Sequence, residues 1–493
     1  MATEHRPKYE PDYRESVSLE PRRETDPLRI PEILIRVLEF TNPAEMAIVA
    51  RVCRRWSNPA LDLLWQDLPD LAPLLKIFDL LKNIPVRILS TLPPTNDLLN
   101  KLSSKDSRMS PAVKLERIKT YGARIRILRF DTYNSSAWRY NISEAYSALV
   151  DGKLDQCIPM VSLPSGALLP NLHTLEWRTY EWPPLAEEIL GAILYFLRPP
   201  LKQLSVSLDP AMATQRADGS VRYGPFFQTL TTMDNLKLES LNLRTGMSTE
   251  ALAEELIPCL RRHQNTLVHF NAWTPEFVNN FRTEIYGLSQ LRSLEVTADH
   301  FLRAVPFIEG LADARPGMEV LKLLVKETWG HGEPRQLWSA LKRLRKLTKL
   351  HLEVPEIKPL QEEDARGMKE AWPALSCLYI LRGSQWCRSG PGSSRDSLSA
   401  IARHFSQSLT TLGLWLEPNT CSSPSTSLVR FEKLELLYLQ VLCEPDDPED
   451  LARYFAQILP TRAIIEGTGL HEWKQMVPRL ERERARANDD NSL

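Results

Sequence analysis

A six-residue frame, apolar-x-x-apolar-x-apolar, returns along most of the chain. It stands at Ile125-x-x-Leu128-x-Phe130, Leu172-x-x-Leu175-x-Trp177, Leu201-x-x-Leu204-x-Val206, Leu238-x-x-Leu241-x-Leu243 and Leu267-x-x-Phe270-x-Ala272. It continues at Leu291-x-x-Leu294-x-Val296, Met318-x-x-Leu321-x-Leu323, Leu347-x-x-Leu350-x-Leu352, Leu375-x-x-Leu378-x-Ile380, Leu409-x-x-Leu412-x-Leu414 and Leu434-x-x-Leu437-x-Leu439. From Leu201 to Leu434 the mean step is (434 − 201)/8, about 29 residues. The last three positions of the frame alternate with period two, the signature of a short strand with one buried face. Helical spacing fills the gaps, at Leu185 to Leu197, Glu250 to Arg262, Arg335 to Leu344, Ser397 to Ser406 and Asp447 to Leu459. The last begins with Asp447 as cap, Pro448 at the first helical position, and Glu449 and Asp450 at the positive end of the helix dipole. Strand and helix alternating at this period predict an α/β solenoid, with short parallel strands inside and helices outside.

The N-terminal pattern is different. Ile33, Leu34, Val37 and Leu38 recur at helical spacing behind Pro31, and Asn42-Pro43 then ends one helix and caps the next. Met46, Val49, Cys53 and Trp56 form one stripe on that second helix. Asn58-Pro59 repeats the device and opens a third helix with Leu61, Leu64, Trp65 and Leu68 inside. Three short helices make a very small core, which usually needs a partner. The predicted organisation is a disordered lead-in over 1–27, the three-helix module over 28–69 and a helical linker over 70–120. The solenoid follows over 121–466, and a C-terminal helix with a disordered tail over 467–493.

Composition narrows the function. Lys+Arg 61 against Asp+Glu 62 gives a net charge of −1, with no surplus to neutralise a phosphate backbone, so no nucleic-acid partner is expected. Cys53, Cys157, Cys259, Cys377, Cys387, Cys421 and Cys443 are scattered without a CxxC pair and read as reduced thiols, not a metal site. The start of the chain lacks the basic and apolar segments of a signal peptide. The longest apolar run, Ile189 to Leu197, is about half of a membrane span. The expected setting is cytoplasmic or nuclear, with no membrane contact.

No catalytic constellation is apparent. His471-Glu472-Trp473-Lys474-Gln475 begins like a zinc-protease helix and lacks the second ligand. The Gly/Ser-rich stretch 383–394 has no lysine at phosphate-loop spacing and reads as an insertion between repeats. His263 and His269 read as surface or turn residues, and the basic run 342–346 as a solvated helix face. No cofactor and no metal is expected.

The string Ile30-Pro31-Glu32-Ile33-Leu34, then Val52-Cys53-Arg54-Arg55-Trp56, then Leu64-Trp65-Gln66-Asp67-Leu68 resembles an F-box. Ile30 replaces the usual leucine, and Glu32 follows the proline one residue early. The repeated frame resembles leucine-rich repeats, without the usual asparagine three residues after it: Tyr180, Asp209 and Gly246 stand there. Together they resemble the substrate receptors of SCF-type ubiquitin ligases, similar to the large F-box sets of mushroom-type fungi. That resemblance implies a non-catalytic subunit. Its F-box would dock on a Skp-family adaptor, and through it a cullin, while the repeats hold a target protein. Carried over, the adaptor-binding positions are Ile30, Pro31, Ile33, Leu34, Val37, Leu38, Val52, Cys53 and Trp56, with Trp56 and Trp65 also candidates for the module's own core. The alternative is a repeat protein that binds or inhibits a partner without a ligase.

Strand alternation also places a target surface. The third, fifth and seventh positions counted along each frame face the concave side. They are polar in early repeats (Thr174, Glu176 and Arg178; Gln203, Ser205 and Ser207; Ser240, Asn242 and Arg244) and turn aromatic in the last three. Tyr379, Leu381, Trp415, Leu436 and Tyr438 are therefore the predicted target-binding residues, around a notch at Gly413. A C-terminal segment near Trp473 folding back over them is the competing expectation, and Trp273 is an isolated lesser candidate.

Overall fold

The computed structural model describes residues 30–69, 73, 111–131, 169–179, 193, 196–197, 200–208, 224–244, 249–273, 277–327, 334–355, 360–383, 393–417, 428–441, 447–468, 478–483 and 485. The expected lead-in, nearly all of the linker before residue 111, most of the 185–197 helix, the centre of the 383–394 insertion, Trp473 and the last eight residues lie outside that set. The chain divides into two compact units between Asp67 and Leu68.

In the first unit α1 (Pro31–Leu38), α2 (Pro43–Val52) and α3 (Arg54–Gln66) pack as a three-helix module. Proline occupies the start of α1 and α2, where its missing N–H costs nothing. The Asn42 side chain accepts the Glu45 N–H at 2.9 Å, and the Glu45 carboxylate accepts the Asn42 N–H at 3.1 Å, a reciprocal capping box. Leu34, Leu38 and Ala60 form the core, with Val49, Ala50, Trp56 and Leu63 packed against it. Two boundaries differ from expectation. α2 ends at Val52, and Cys53 is extended (φ −154°, ψ 159°) and exposed, so Cys53 and Trp56 do not continue the Met46–Val49 stripe. α3 begins at Arg54 and runs through Pro59. Proline there sacrifices one backbone bond close to the helix start, while Ala60 and Leu63 on the following turn gain burial.

The second unit is built on the repeated frame. Its strands are β2 (Ile127–Asp131), β3 (Thr174–Thr179), β4 (Gln203–Leu208), β5 (Ser240–Arg244), β6 (His269–Trp273) and β7 (Ser293–His300), after a two-residue β1 (Asp67–Leu68). β8 (Val320–Glu327), β9 (Lys349–Glu353), β10 (Cys377–Leu381), β11 (Thr411–Leu416), β12 (Leu436–Val441) and β13 (Ile464–Thr468) follow. Each of β2 to β12 begins two residues after the first position of a predicted frame. From β2 to β13 the strands stand in strict chain order, every neighbour pair parallel. Two strands were not expected: β1, because Leu68 was read as part of the third helix, which ends at Gln66, and β13, because its face offers Ile465 and then Gly467, too little for the apolar frame.

Parallel neighbours need a crossover, and helices supply it. Thr249–Arg262, Pro334–Lys342, Arg395–Phe405 and Pro448–Ile458 match predicted helices to within about three residues at each end. Asp447 caps the last, accepting the Glu449 and Asp450 N–H groups at 3.0 and 2.9 Å. Gly224–Thr232, Phe277–Gly287, Phe301–Ala314 and Glu362–Ala371 were not anticipated. Pro306 lies inside Phe301–Ala314 and masks its pattern, yet Ala304, Phe307, Ile308 and Leu311 still bury one stripe. The frame leucines, among them Leu241, Leu294, Leu350 and Leu412, are fully buried between sheet and helices.

His263, expected at the surface or in a turn, lies in this core: 1% exposed, with Nε2 3.3 Å from the Leu230 carbonyl of the preceding repeat. Burial pushes its pKa below the usual imidazole value, the backbone hydrogen bond opposes that, and Arg262 adds to it. The depressed native pKa means the unfolded chain takes up a proton first. His263 therefore contributes stability that is present above about pH 6.5 and lost as the pH falls towards its native value. Melting temperature measured from pH 7.5 down to 5.5 should fall less steeply for His263→Gln than for the unaltered protein. Parallel profiles would show that His263 does not titrate on unfolding.

Candidate functional site

Helix α1 is apolar almost all round, and a helix of that kind needs a second apolar surface. Leu34 and Leu38, four residues apart, point into the module's own core and are withdrawn from any partner. Ile30, Ile33 and Val37 lie on the outside of the same helix and are exposed. Beyond it, Phe40 is 90% exposed, and on α2 Ile48 and Val52 are each 65% exposed. Cys53 is exposed and Trp56 is half-buried against the core. Of the nine positions that the resemblance marks for adaptor binding, then, Ile30, Ile33, Val37, Val52 and Cys53 are accessible, while the Pro31 side chain lies outside the described set. Phe40 and Ile48 were missed. The signal for them was present, since Ile33, Val37 and Phe40 recur at steps of four and three, as do Ile48 and Val52 at four.

In the second unit the fifth frame position makes a continuous row across the concave face. Backbone register places Arg129, Glu176, Ser205, Asn242, Asn271, Glu295, Lys322, His351, Tyr379, Gly413, Tyr438 and Glu466 side by side. The first seven are polar or charged, and the character changes at His351. Its ring stacks on Tyr379 (centroids 5.0 Å, 15° between planes), and Tyr379 leans towards Tyr438 at 6.1 Å. His351 Nε2 also lies 2.9 Å from Glu353 Oε1, and this contact holds the Glu353 carboxyl below the usual carboxylate range against the opposing effect of burial. Burial, followed by the nearby Cys377, Glu466 and Tyr438, raises the Tyr379 phenol above its ordinary value.

The notch expected at Gly413 is filled. A Cβ built there would clash with Cδ1 of the Tyr379 ring, so the tyrosine ring lies across the glycine. Trp415 is also not the exposed anchor the alternation implied. It is 5% exposed, and the Arg382 guanidinium covers its ring at 4.5 Å. Gln440 fixes that cover by accepting the Arg382 backbone N–H at 2.9 Å and donating to its carbonyl at 3.0 Å. Tyr379, Leu381, Leu436 and Tyr438 remain partly accessible. Trp273, the lesser candidate, is 43% exposed, with the Arg244 guanidinium 6.0 Å from its ring centre.

Among the described residues no group of three His, Cys, Asp or Glu side chains is placed to hold a metal, and no helix is long and apolar enough to cross a membrane. In the basic run after the Pro334–Lys342 helix, Arg343 pairs with Asp313 and Leu344 is buried, so this segment is a structured turn. The close approach at Gly413 has a measurable consequence. Gly413→Ala should destabilise the array by about 1–3 kcal/mol through overpacking against Tyr379. In the double variant with Tyr379→Ala most of that cost should vanish. Additive losses in a double-mutant cycle followed by chemical denaturation would show that the two sites do not touch.

Residues 31–68 match the sequence model of the F-box-like family. No curated protein matches the chain. Among solved structures, the leucine-rich repeat-containing protein LegL7 from Legionella pneumophila is similar at 12% identity and a TM-score of 0.34, over 65% of this chain and 92% of that one. An F-box-like module thus precedes an array whose repeated frame, parallel strand order and outer helices are those of a leucine-rich-repeat solenoid.

Proposed function

We propose that this protein is the substrate-recognition subunit of a cullin-based SCF-type ubiquitin ligase. F-box domains generally bind Skp-family adaptors. The observation that carries the reading is the apolar outer face of the F-box-like module: Ile30, Ile33, Val37, Phe40, Ile48 and Val52 are exposed on helices whose own core is only Leu34, Leu38, Ala60 and their neighbours. Apolar area of that extent on so small a module marks a protein interface. The array supplies the other end of the tether, with Tyr379, Leu381, Leu436 and Tyr438 on the concave face offered to a target. Function is then proximity, since holding a target beside a separate conjugating enzyme raises its effective concentration without a bond-making residue in this chain.

Buried and exposed positions separate the interface from folding. Val37→Asp combined with Val52→Asp should abolish capture of a co-expressed Skp-family adaptor and leave the melting temperature of the chain unchanged. Leu34→Ala should instead lower the stability of the module by about 2–5 kcal/mol through the cavity it leaves. Undiminished capture by the double aspartate variant would overturn the docking face. Failure of the intact chain to capture any Skp-family adaptor would leave the array as a binding protein acting without a ligase.

A further inference from the structure

The seventh frame position forms a second row along the concave face, one pleat beyond the first. Across β3 to β6 it reads Arg178, Ser207, Arg244 and Trp273, adjacent in register. Among the described residues neither arginine has a close carboxylate partner. Arg178 stands 3.8 Å from Glu176, which also receives Arg129 at 3.4 Å. Arg244 stands 3.8 Å from Glu295, which Lys322 holds at 2.8 Å and the Asn271 amide at 2.6 Å. Each carboxylate is therefore committed to a closer partner, and the arginine of this row is the looser one. Their side chains are 53% and 46% exposed. Along these two rows from β2 to β8 the cations Arg129, Arg178, Arg244 and Lys322 exceed the carboxylates Asp131, Glu176 and Glu295 by four to three.

Spacing narrows the partner. Arg178 and Arg244 are two strands apart, roughly 9.6 Å at about 4.8 Å per strand. A polyproline-II segment repeats its side-chain direction every three residues, about 9.3 Å along its axis. Two acidic residues three apart on such a segment would meet both guanidinium groups, with Ser207 beneath the residues between them. Trp273, one strand further on and over 40% exposed, has the Arg244 guanidinium 6.0 Å from its ring centre and adds aromatic surface of the kind on which prolyl rings pack in polyproline recognition. Charge and pitch agree on one occupant.

We propose that the Arg178–Ser207–Arg244–Trp273 row binds an extended, polyproline-II-like acidic segment of the target, with carboxylates at every third residue. This rests on the array being the target-holding part of the chain and names the chemistry it selects. The probes are fluorescein-labelled synthetic peptides of repeating Glu-Pro-Pro, Lys-Pro-Pro and Ser-Pro-Pro, titrated with the full chain and read by anisotropy. The Glu-Pro-Pro peptide should bind at least tenfold more tightly than the Ser-Pro-Pro peptide, and raising salt should weaken it. Arg178→Glu with Arg244→Glu should remove that preference and transfer it to the Lys-Pro-Pro peptide, a gain that a misfolded variant cannot produce. Trp273→Ala should weaken the Glu-Pro-Pro peptide tenfold or more. Equal binding of the Glu and Ser peptides, or an unaltered Glu preference in the double variant, overturns the proposal. Adaptor capture by the double variant should be unchanged; if the intact chain captures no adaptor but keeps the Glu-Pro-Pro preference, the ligase reading falls and this surface stands.

Discussion

A strand-and-helix repeat of this kind cannot bury its leucines alone, and the rest of the second unit depends on that constraint. Leu350 is flanked in register by Leu321 and Leu378, beneath the outer helices, and each of those leans on its own neighbour in turn. The backbone obeys the same rule, since a strand between two parallel partners finds hydrogen-bond partners nowhere else. Nearest-neighbour dependence explains why the frame tolerates varied helices and connections while its apolar positions stay constant in kind. Period-two alternation then locks the faces, because a slip of one residue would turn every buried leucine outward. The concave surface is the other side of that bargain: positions excluded from the core are free to carry charge, aromatic rings or nothing.

How that freedom is used differs along the array. Between β2 and β8 the concave row is polar or charged, and Glu176 and Glu295 are each shared by two cations. From β9 to β12 the same row brings together His351, Tyr379 and Tyr438, and one missing side chain organises them. With no Cβ at Gly413, Tyr379 lies flat over the neighbouring strand and brings its ring between His351 and Tyr438. Trp415 meets the opposite fate, because Arg382 from the previous repeat stacks on it and Gln440 from the next one pins Arg382 in place. Three repeats therefore cooperate to convert one exposed ring into structure.

The F-box-like module faces the reverse problem. Its three helices enclose so little volume that Leu34, Leu38 and Ala60 complete the buried core, and the other apolar residues of α1 are left outside. A stable array and a small sticky module serve different ends. One presents a rigid, polar and aromatic surface, and the other keeps unburied hydrophobic area for a partner to cover.

Much of this was legible in the amino-acid order. The eleven frames marked β2 to β12 because burial on one face of a strand imposes a period that survives any choice of individual residue. Asn42 and Asp447 announced their helices because a cap acts within four residues of itself. Other features were invisible there. Pro59 looked like a helix start and Pro306 hid a helix, since the packing of Ala60, Phe307 and Ile308 outweighs a single lost backbone bond. His263 reads as a turn residue until the Leu230 carbonyl, 33 positions away, is brought against it. Alternation determines which way Trp415 and Tyr379 point, but not what lies on top of them. Cover comes from Arg382, 33 residues before Trp415, and from the empty space of a glycine one strand over. Which side chain faces the groove is a local property of the strand; whether it remains exposed is decided by residues that only the folded array brings within reach.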